Sequence, residues 1–478
     1  MKKLVFALVG LLLVGVFSAW RFLHGSDRTR DVLPADATAV LVLRPTVLTM
    51  EMGMTVSEIK KLSSLSSVRW SRAVNPMKPV YAFLAPSGLT CIAVSVRNAD
   101  RLEQLLSARG LKCEESGGLR WACDRDRTIG CFDDDRMLMC LPAHEGRQDT
   151  VRREMAKLMS QGRHAVRVLE RAERQKGTMG FSASFDLLPP PYARMLPDEA
   201  SPADVFLDAS LHIRGQKAQL TLGVSDASYY LPLAPIKGDL PCAVEPSGPL
   251  LRLCAGIKGE QLLHFMCSVP RCRIALMGLS LFMDASQMIQ ALDGDMTLLV
   301  STTDTRHYDF LLTVPIASPL PISIKGEETD RLLPDFSHPQ ASSSSPFGGG
   351  MEGVSWGLRD GLLYLTSNTD FPDKMPDPAK PFPQGKEDPP HSSLEERKEG
   401  SPGEAVYLYA TVNARQFPSA YLDRIPLPLP PDVMHGIADA IEGITLSASS
   451  PKGMELNIEA SKTIKQIFMD TWKQLCSQ

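Results

Sequence analysis

The sequence has few aromatic residues and no strong excess of charge of either sign. Phe, Trp and Tyr make up 6% of its 478 residues, and the formal net charge is −4. A nucleic-acid interface needs a clear excess of Lys and Arg, so the composition argues against nucleic acid as a partner. With 44% hydrophobic and 22% charged residues, the chain is still typical of a folded globular protein.

Local signatures of metal and phosphate chemistry are also missing. The sequence contains neither an H-E-x-x-H helix motif nor a P-loop. We therefore expect no catalytic residues, no cofactor and no metal. Two alternatives stay open: a hydrolase whose catalytic groups are far apart in sequence, and a carrier of an apolar ligand. The first needs no local motif, because catalytic groups can be brought together by the fold.

The second half of the chain resembles a diverged copy of the first. Leu33-Pro34 opens onto an apolar stretch, and Leu240-Pro241 opens onto a similar one. Six further segments match in the same order. Segments 39–44, 79–84, 89–96, 119–123, 180–185 and 207–222 match 250–253, 296–300, 310–314, 354–358, 406–412 and 444–459. A repeat of roughly 200 residues has the size of a domain rather than of a solenoid unit.

These patterns predict an α+β fold of two tandem diverged copies of an antiparallel-sheet domain with flanking helices. Hairpin signals and separate helices, without βαβ alternation, are the basis for this class. The predicted domains are 33–230 and 239–478, preceded by a transmembrane segment at 1–24. Segments 337–350 and 371–403 are rich in Ser, Gly, Pro, Lys and Glu, so we expect flexible insertions there.

Five helices are predicted from apolar spacing and end signals: 56–65, 100–109, 149–175, 260–292 with a break at Pro270, and 464–475. The helix at 149–175 is rich in Arg and Lys. This basic helix either contacts anionic lipid headgroups or forms a solvated face paired with Glu154, Glu170 and Glu173. The paired face is the favoured interpretation.

The N-terminus carries a long apolar run. Lys2 and Lys3 precede residues 4–20, which contain no charge, and Trp20 and Arg21 are typical of a membrane interface. We expect an uncleaved signal-anchor: a single-pass inner-membrane protein that contacts membrane lipid through this helix, with its body in the periplasm. One alternative is a protein secreted to the periplasm after cleavage of the signal. For the orientation, the alternative is a body that faces the cytoplasm, because Arg21, Arg28 and Arg30 weaken the charge bias of Lys2 and Lys3.

Four of the ten cysteines cluster in sequence, at Cys113, Cys123, Cys131 and Cys140. Turn residues lie between Cys113 and Cys123 and again between Cys131 and Cys140, which predicts two hairpins in which thiols face each other. Disulfides would suit an oxidising periplasm. Small buried core thiols are the alternative.

Other polar residues give weaker signals. Asp133 and its two acidic neighbours are typical of a solvated hairpin turn, because the later Glu of an EF-hand loop is missing. His212 lies in a predicted strand, and we expect it to be exposed or to have a hydrogen-bonding partner rather than to be catalytic.

The opening Leu33-Pro34-Ala35-Asp36-Ala37-Thr38-Ala39-Val40, an "LPADA-x-AV" pattern after a membrane signal, resembles uncharacterised envelope proteins of Bacteroidota that share a domain of unknown function. Segments 79–83, 99–106 and 292–296 are similar too. Many members of that family are lipoproteins, and this chain departs from them because its first cysteine is Cys91. The resemblance implies an envelope location and transfers no catalytic residue.

Together these patterns favour a non-enzymatic envelope protein that binds another envelope component, either a protein partner or a lipid.

Overall fold

The structure is a computed structural model that describes residues 28–55, 57–58, 72–125, 127–140, 148–162, 166–187, 201–225, 232–238, 249–280, 284–302, 308–316, 355–359, 362–367, 405–416 and 431–477. The predicted transmembrane segment 1–24 with Trp20 and Arg21, and the predicted insertions 337–350 and 371–403, lie outside these ranges. Among the helices within them, none combines the length and the apolar character that crossing a bilayer requires.

Eighteen strands occur in the described ranges. In chain order they are β1 Ala39–Leu43, β2 Val80–Leu84, β3 Thr90–Ser95, β4 Lys112–Ser116, β5 Leu119–Asp124, β6 Arg127–Phe132, β7 Arg136–Cys140, β8 Met179–Ser184, β9 Phe206–Arg214, β10 Lys217–Val224, β11 Leu251–Lys258, β12 Asp293–Thr302, β13 Tyr308–Pro315, β14 Ser355–Arg359, β15 Leu362–Thr366, β16 Leu408–Val412, β17 Ile441–Ser450 and β18 Gly453–Ala460.

Nine α-helices occur in the same ranges. They are α1 Pro45–Glu51, α2 Ala99–Ala108, α3 Gln148–Ser160, α4 Arg167–Arg174, α5 Gly259–Ser268, α6 Pro270–Leu279, α7 Ala285–Gln290, α8 Pro431–Ala440 and α9 Ile464–Ser477. Short 3₁₀ turns are η1 Arg28–Val32, η2 Phe185–Leu187 and η3 Ala414–Gln416. The fold is α+β, as predicted, with extensive antiparallel pairing and several helices.

The chain divides into two compact units. Unit 1 combines the described residues of Met1–Leu187 with Phe206–Gly215 and Ile464–Gln478, and unit 2 combines those of Leu188–Val205 with Gln216–Thr463. Unit membership therefore differs from a simple split near residue 235, because β10 belongs to unit 2 and α9 belongs to unit 1. Within unit 1, the Lys465 ammonium of α9 lies 2.7 Å from a carboxylate oxygen of Glu58 and 3.3 Å from the Gly53 carbonyl.

The strands of unit 1 pair in the order β4-β5-β6-β7-β3-β2-β1-β8-β9, and every pairing is antiparallel. The first strand in sequence, β1, lies between β2 and β8. Val40 pairs with Phe83 on one side and with Ser182 on the other.

Two apolar clusters cover opposite faces of the unit 1 sheet. Alternate residues of β1, β2, β3 and β7 pack with α3 and α4 in the first cluster, which includes Val40, Tyr81 and Leu169. The residues between them on β3 and β7 pack with α2 in the second cluster, which includes Phe132 and Leu102. Successive strand residues point to opposite faces, so β3 and β7 contribute to both clusters. Each fully buried side chain contributes roughly 1.5–3 kcal/mol.

The strands of unit 2 pair in the order β14-β15-β13-β12-β11-β16-β17-β18-β10, again antiparallel throughout. The strand β11 lies between β12 and β16, as β1 lies between β2 and β8 in unit 1. The matched segments 119–123 and 354–358 occupy different positions in the two strand orders. The first forms β5, between β4 and β6, whereas the second overlaps β14, which pairs with β15 at the end of the described order.

The predicted helices are confirmed in part. Helix α2 begins after Asn98, whose side chain accepts the Arg101 N–H at 2.8 Å, and Gly110 follows it with a positive φ of 82°. Pro270 starts α6 after α5 ends at Ser268, as the break predicted. The predicted single helix 149–175 is wrong: α3 ends at Ser160 and α4 begins at Arg167. Of the helix predicted at 56–65, only residues 57–58 are described.

Candidate functional site

A half-buried carboxylate, Glu51, connects α1 with β9 in unit 1. Its oxygens accept hydrogen bonds from the Thr178 hydroxyl at 2.6 Å and the Ile213 N–H at 2.8 Å, and Nδ1 of His212 lies 3.1 Å away. Burial by itself would raise the pKa of Glu51, but the bonds from Thr178, Ile213 and His212 outweigh it and hold the pKa below its ordinary value.

Glu51, His212 and Thr178 are residue types that occur in catalytic triads, but their hydrogen bonds do not follow the order of a triad. In a triad the hydroxyl hydrogen-bonds the imidazole, and the imidazole hydrogen-bonds the carboxylate. Here the Thr178 hydroxyl donates to the carboxylate, so it is bound to the same group that orients His212. Thr178 is buried at 1% exposure. The arrangement anchors α1 on the sheet, and His212 has a hydrogen-bonding partner, one of the two alternatives predicted for it.

A second polar group fixes α4 on β8 and β9. The Asp208 carboxylate accepts the Ser182 hydroxyl at 2.7 Å and Nε of Arg171 at 3.2 Å, and its second oxygen is bound by a terminal nitrogen of Arg171. The guanidinium groups of Arg171 and Arg167 lie over the Phe206 ring, at 4.9 and 4.5 Å from its centroid. A bidentate arginine–carboxylate pair fixes the geometry of the contact as well as stabilising it, and the cation–π contacts with Phe206 add to this.

Arg44 caps the C-terminal end of α4. Its guanidinium donates to the carbonyls of Ala172, Glu173 and Gly177 at 3.3, 3.0 and 3.0 Å. The last carbonyls of a helix have no partner within the helix and carry partial negative charge, so a cation there is favourable. Burial lowers the pKa of Arg44.

Several arginines of the predicted basic segment have protein partners. Arg152 donates to the Thr128 hydroxyl at 2.7 Å and to the Cys123 sulfur at 3.1 Å. Arg174 lies 3.8 Å from Glu170, and Arg30 lies 2.9 Å from Glu173. These contacts agree with the paired face rather than with a free cationic surface.

The four clustered cysteines are free thiols, and their register differs from the predicted pairs. Cys113 lies opposite Ala122, one residue from Cys123, so the two thiols point to opposite faces of the sheet. Cys131 lies opposite Leu138, two residues from Cys140, which makes that pair a diagonal one. Burial raises the pKa of the thiols of Cys113 and Cys131.

The acidic segment around Asp133 is a turn, as predicted. The Asp133 carboxylate accepts the N–H groups of Asp135 and Arg136 at 2.9 and 2.8 Å and also binds Nε of Arg136 at 3.0 Å. Asp135 lies 2.6 Å from Arg28. Within the part of the chain that the structure describes, no three His, Cys, Asp or Glu residues are grouped as metal ligands.

Sequence reasoning missed two glycine motifs. Residues 348–353 have the spacing G-x-G-x-x-G and lie outside the described ranges. Residues 353–357 have the spacing G-x-S-x-G, and Ser355 begins strand β14. A hydrolase nucleophile of this motif occupies a tight turn from a strand into a helix. The backbone from Ser355 to Arg359 is instead extended and pairs with β15.

Among the residues of unit 2 whose burial the structure describes, the most exposed large apolar side chains lie on α6. Ile274 is 69% and Met277 is 66% exposed, and they are neighbours three residues apart on the helix. Arg271 and Arg273, both exposed, lie at the beginning of the same helix, which contains no Asp or Glu. The opposite side of α6 packs inward through Leu276, which is 6% exposed. We call Arg271, Arg273, Ile274 and Met277 the α6 face.

Comparisons with known proteins identify no family. No family model and no curated protein matches the chain. Among solved structures, crystal form IV of TP0453 is 14% identical with a TM-score of 0.26, covering 43% of this chain and 83% of that one. Crystal form I is 12% identical with a TM-score of 0.27, covering 42% and 80%. Crystal form III is 11% identical with a TM-score of 0.19, covering 71% and 92%. Similarities this weak carry no argument about function.

Proposed function

We propose that this protein is a non-enzymatic envelope protein of the inner membrane, with its body in the periplasm, and that it binds another envelope component through the α6 face. The exposure of Ile274 and Met277 beside two arginines is the observation that carries the proposal. Single exposed apolar residues are common, but adjacent ones next to cations on one helix are typical of an interaction surface.

The chemistry of the α6 face favours anionic lipid as the bound component. Each arginine near an anionic bilayer surface contributes about 1 kcal/mol, and the apolar side chains add burial at the boundary between headgroups and acyl chains. The expected N-terminal anchor would keep the body close to such a surface.

The polar groups of unit 1 described above hold its elements together. Glu51, Asp208 and Arg44 each bind several groups of neighbouring elements, and these bonds fix α1 and α4 on the sheet. A side chain with its hydrogen-bonding capacity engaged in this way stabilises the fold.

On the opening at residues 33–40 alone, we further propose that the chain is related to the Bacteroidota envelope proteins it resembles. We also infer that the two units are diverged copies of one ancestral domain, as the matched segments predicted. Support comes from the pairing order. In unit 1 the strand β1 is flanked by β2 and β8, and in unit 2 the strand β11 is flanked by β12 and β16. The hairpin β6-β7 pairs with β3 through β7, and the hairpin β14-β15 pairs with β13 through β15.

The lipid proposal can be tested by hydrogen exchange on the full chain in vesicles of phosphatidylcholine, with and without phosphatidylglycerol. We expect the amides of α6 to exchange several-fold more slowly when the anionic lipid is present. The double variant Ile274→Ser/Met277→Ser should lose this protection. Met50→Ser, on a residue of unit 1 that is 74% exposed, is the matched control and should keep it.

Two outcomes would contradict the proposal. If α6 exchanges equally in both vesicles but cross-links to a protein in native membranes, the component is a protein and the lipid assignment is wrong. If mature chains begin near Ala19 and occur in the soluble periplasmic fraction, the anchor is wrong and the secreted alternative replaces it.

A further inference from the structure

Two buried cysteines lie directly opposite each other in the centre of unit 1. Cys91 on β3 pairs in register with Cys140 on β7, and their sulfur atoms are 3.2 Å apart. Cys91 is 0% and Cys140 is 7% exposed. Both are free thiols in the structure.

The register brings this pair within the geometry of a disulfide. Residues directly opposite in antiparallel strands have Cα atoms about 4.5–5.5 Å apart, and disulfides span about 4.4–6.8 Å. Both side chains belong to the first apolar cluster, so they point to the same face of the sheet. A bond between them therefore requires no shift of either strand.

The other thiols of this region meet these conditions less well. Cys113 and Cys123 belong to opposite faces of the sheet. Cys131 shares the face of Cys140, but it lies opposite Leu138 and reaches Cys140 only diagonally. Diagonal neighbours are about 7–8 Å apart, which is beyond the usual disulfide span.

We propose that Cys91 and Cys140 are the disulfide-forming pair of unit 1 and that they join when the protein meets a disulfide oxidant. This inference stands on the register of β3 and β7 and is independent of the α6 face.

The reaction is a two-step exchange with a disulfide R–S–S–R. The Cys140 thiolate, the more accessible of the two, attacks one sulfur of the oxidant and releases one R–S⁻. The Cys91 sulfur then attacks the Cys140 sulfur of the mixed disulfide and releases the second R–S⁻. The two thiol protons end on the two R–SH products, so the protein loses two electrons and the oxidant gains them.

The bond would close a long loop. The chain from Cys91 to Cys140 contains α2 and strands β4, β5 and β6. A cross-link over a loop of this length restricts the unfolded chain far more than the folded one, whose strands already hold the two cysteines together. Oxidation should therefore raise the resistance of unit 1 to unfolding.

Differential alkylation tests this on the full chain. The protein is incubated with oxidised glutathione, denatured, treated with iodoacetamide and digested without reductant. We expect one cross-linked peptide pair that contains Cys91 and Cys140 and disappears on reduction, with Cys131 alkylated. Cys131→Ser, the matched control on the same face, should keep the cross-link, and Cys91→Ser should abolish it. The urea midpoint of the oxidised wild type should exceed that of the reduced protein.

The wild-type measurement decides the question even if a serine variant fails to fold. Recovery of Cys91 and Cys140 as alkylated peptides after oxidation would overturn the proposal. So would a cross-link in which Cys131 replaces Cys91 as the partner of Cys140.

Discussion

Units 1 and 2 share a central pairing order but differ in how deeply their strands are buried. In unit 1, β1 and β2 bury every second side chain. In unit 2, β10 and β18 are half-buried along almost their whole length. The helices of unit 1 cover both faces of its sheet, whereas α5, α6 and α7 pack largely on one another. Strand order is thus set by backbone pairing, and burial depends on which helices cover the strands.

We expect the greatest loss of stability from alanine at two glycines, one in each unit, that lie against a backbone carbonyl group. A Cβ at Gly180 would lie 2.1 Å from the Ala172 carbonyl oxygen, and one at Gly256 would lie 2.1 Å from the Ala234 carbonyl oxygen. Because a backbone carbonyl cannot move aside cheaply, Gly180→Ala and Gly256→Ala should each cost about 3 kcal/mol in urea unfolding.

Gly278→Ala is the control for this comparison. Gly278 lies in α6 with no atom within 4 Å of the added methyl group, so alanine should stabilise the helix by about 0.5–1 kcal/mol. If Gly256→Ala does not lower the free energy of unfolding while Gly180→Ala does, unit 2 is packed less tightly than unit 1 at this backbone contact.

A medium effect should separate a carboxylate with part-buried hydrogen bonds from one whose hydrogen bonds are exposed. Asp208→Ala in unit 1 leaves Ser182 and Arg171 without their shared partner and should cost about 2–3 kcal/mol. In unit 2, Asp295 accepts the N–H groups of Lys237 and Gly238 at the surface. Asp295→Ala should cost only about 1 kcal/mol. Equal losses in denaturant unfolding would mean that part-buried and exposed hydrogen bonds to a carboxylate stabilise the two units equally.

The smallest effect concerns pH and unit 1 alone. The pKa of Glu51 is below its ordinary value of 4.5 in the folded protein, so its stabilising contribution is complete above pH 4.5 and is lost as pH falls toward the folded pKa. Glu51→Gln should cost about 1–2 kcal/mol at pH 7, through weaker hydrogen bonds from Thr178 and Ile213.

The difference between the wild type and Glu51→Gln should shrink when unfolding is repeated at pH 3. A difference that stayed constant from pH 7 to pH 3 would mean that the charge on Glu51 does not contribute. Asp133→Asn, at the exposed turn between β6 and β7, offers a comparison at a carboxylate outside this group.

Local signals predicted those elements whose causes are local. Asn98 caps the beginning of α2, and Gly110 with its positive φ follows its end. Both effects act within a few residues, so the sequence predicts them. Pro270 separates α5 from α6 because it removes a donor and fixes φ. The helix predicted across 149–175 failed because the apolar spacing continues beyond Ser160, where α3 ends, and so does not mark that end.

Local signals did not predict which cysteines lie opposite each other. Turn residues predicted that Cys113 would face Cys123, but a shift of one residue in register reverses the face of a side chain, and no local signal fixes that register. The pair that does face, Cys91 and Cys140, is separated by three intervening strands in sequence.

Spacing, capping and turn chemistry act over short stretches of chain, so the α+β class, several helices and turns, and the order of the apolar segments could be read from the amino-acid sequence. The folded structure was needed to show that α9 belongs to unit 1, that Arg44 caps α4, and that Glu51 meets Thr178 and His212. These contacts join residues more than a hundred positions apart. Their energies depend on burial and on distances that exist only once the strands have paired.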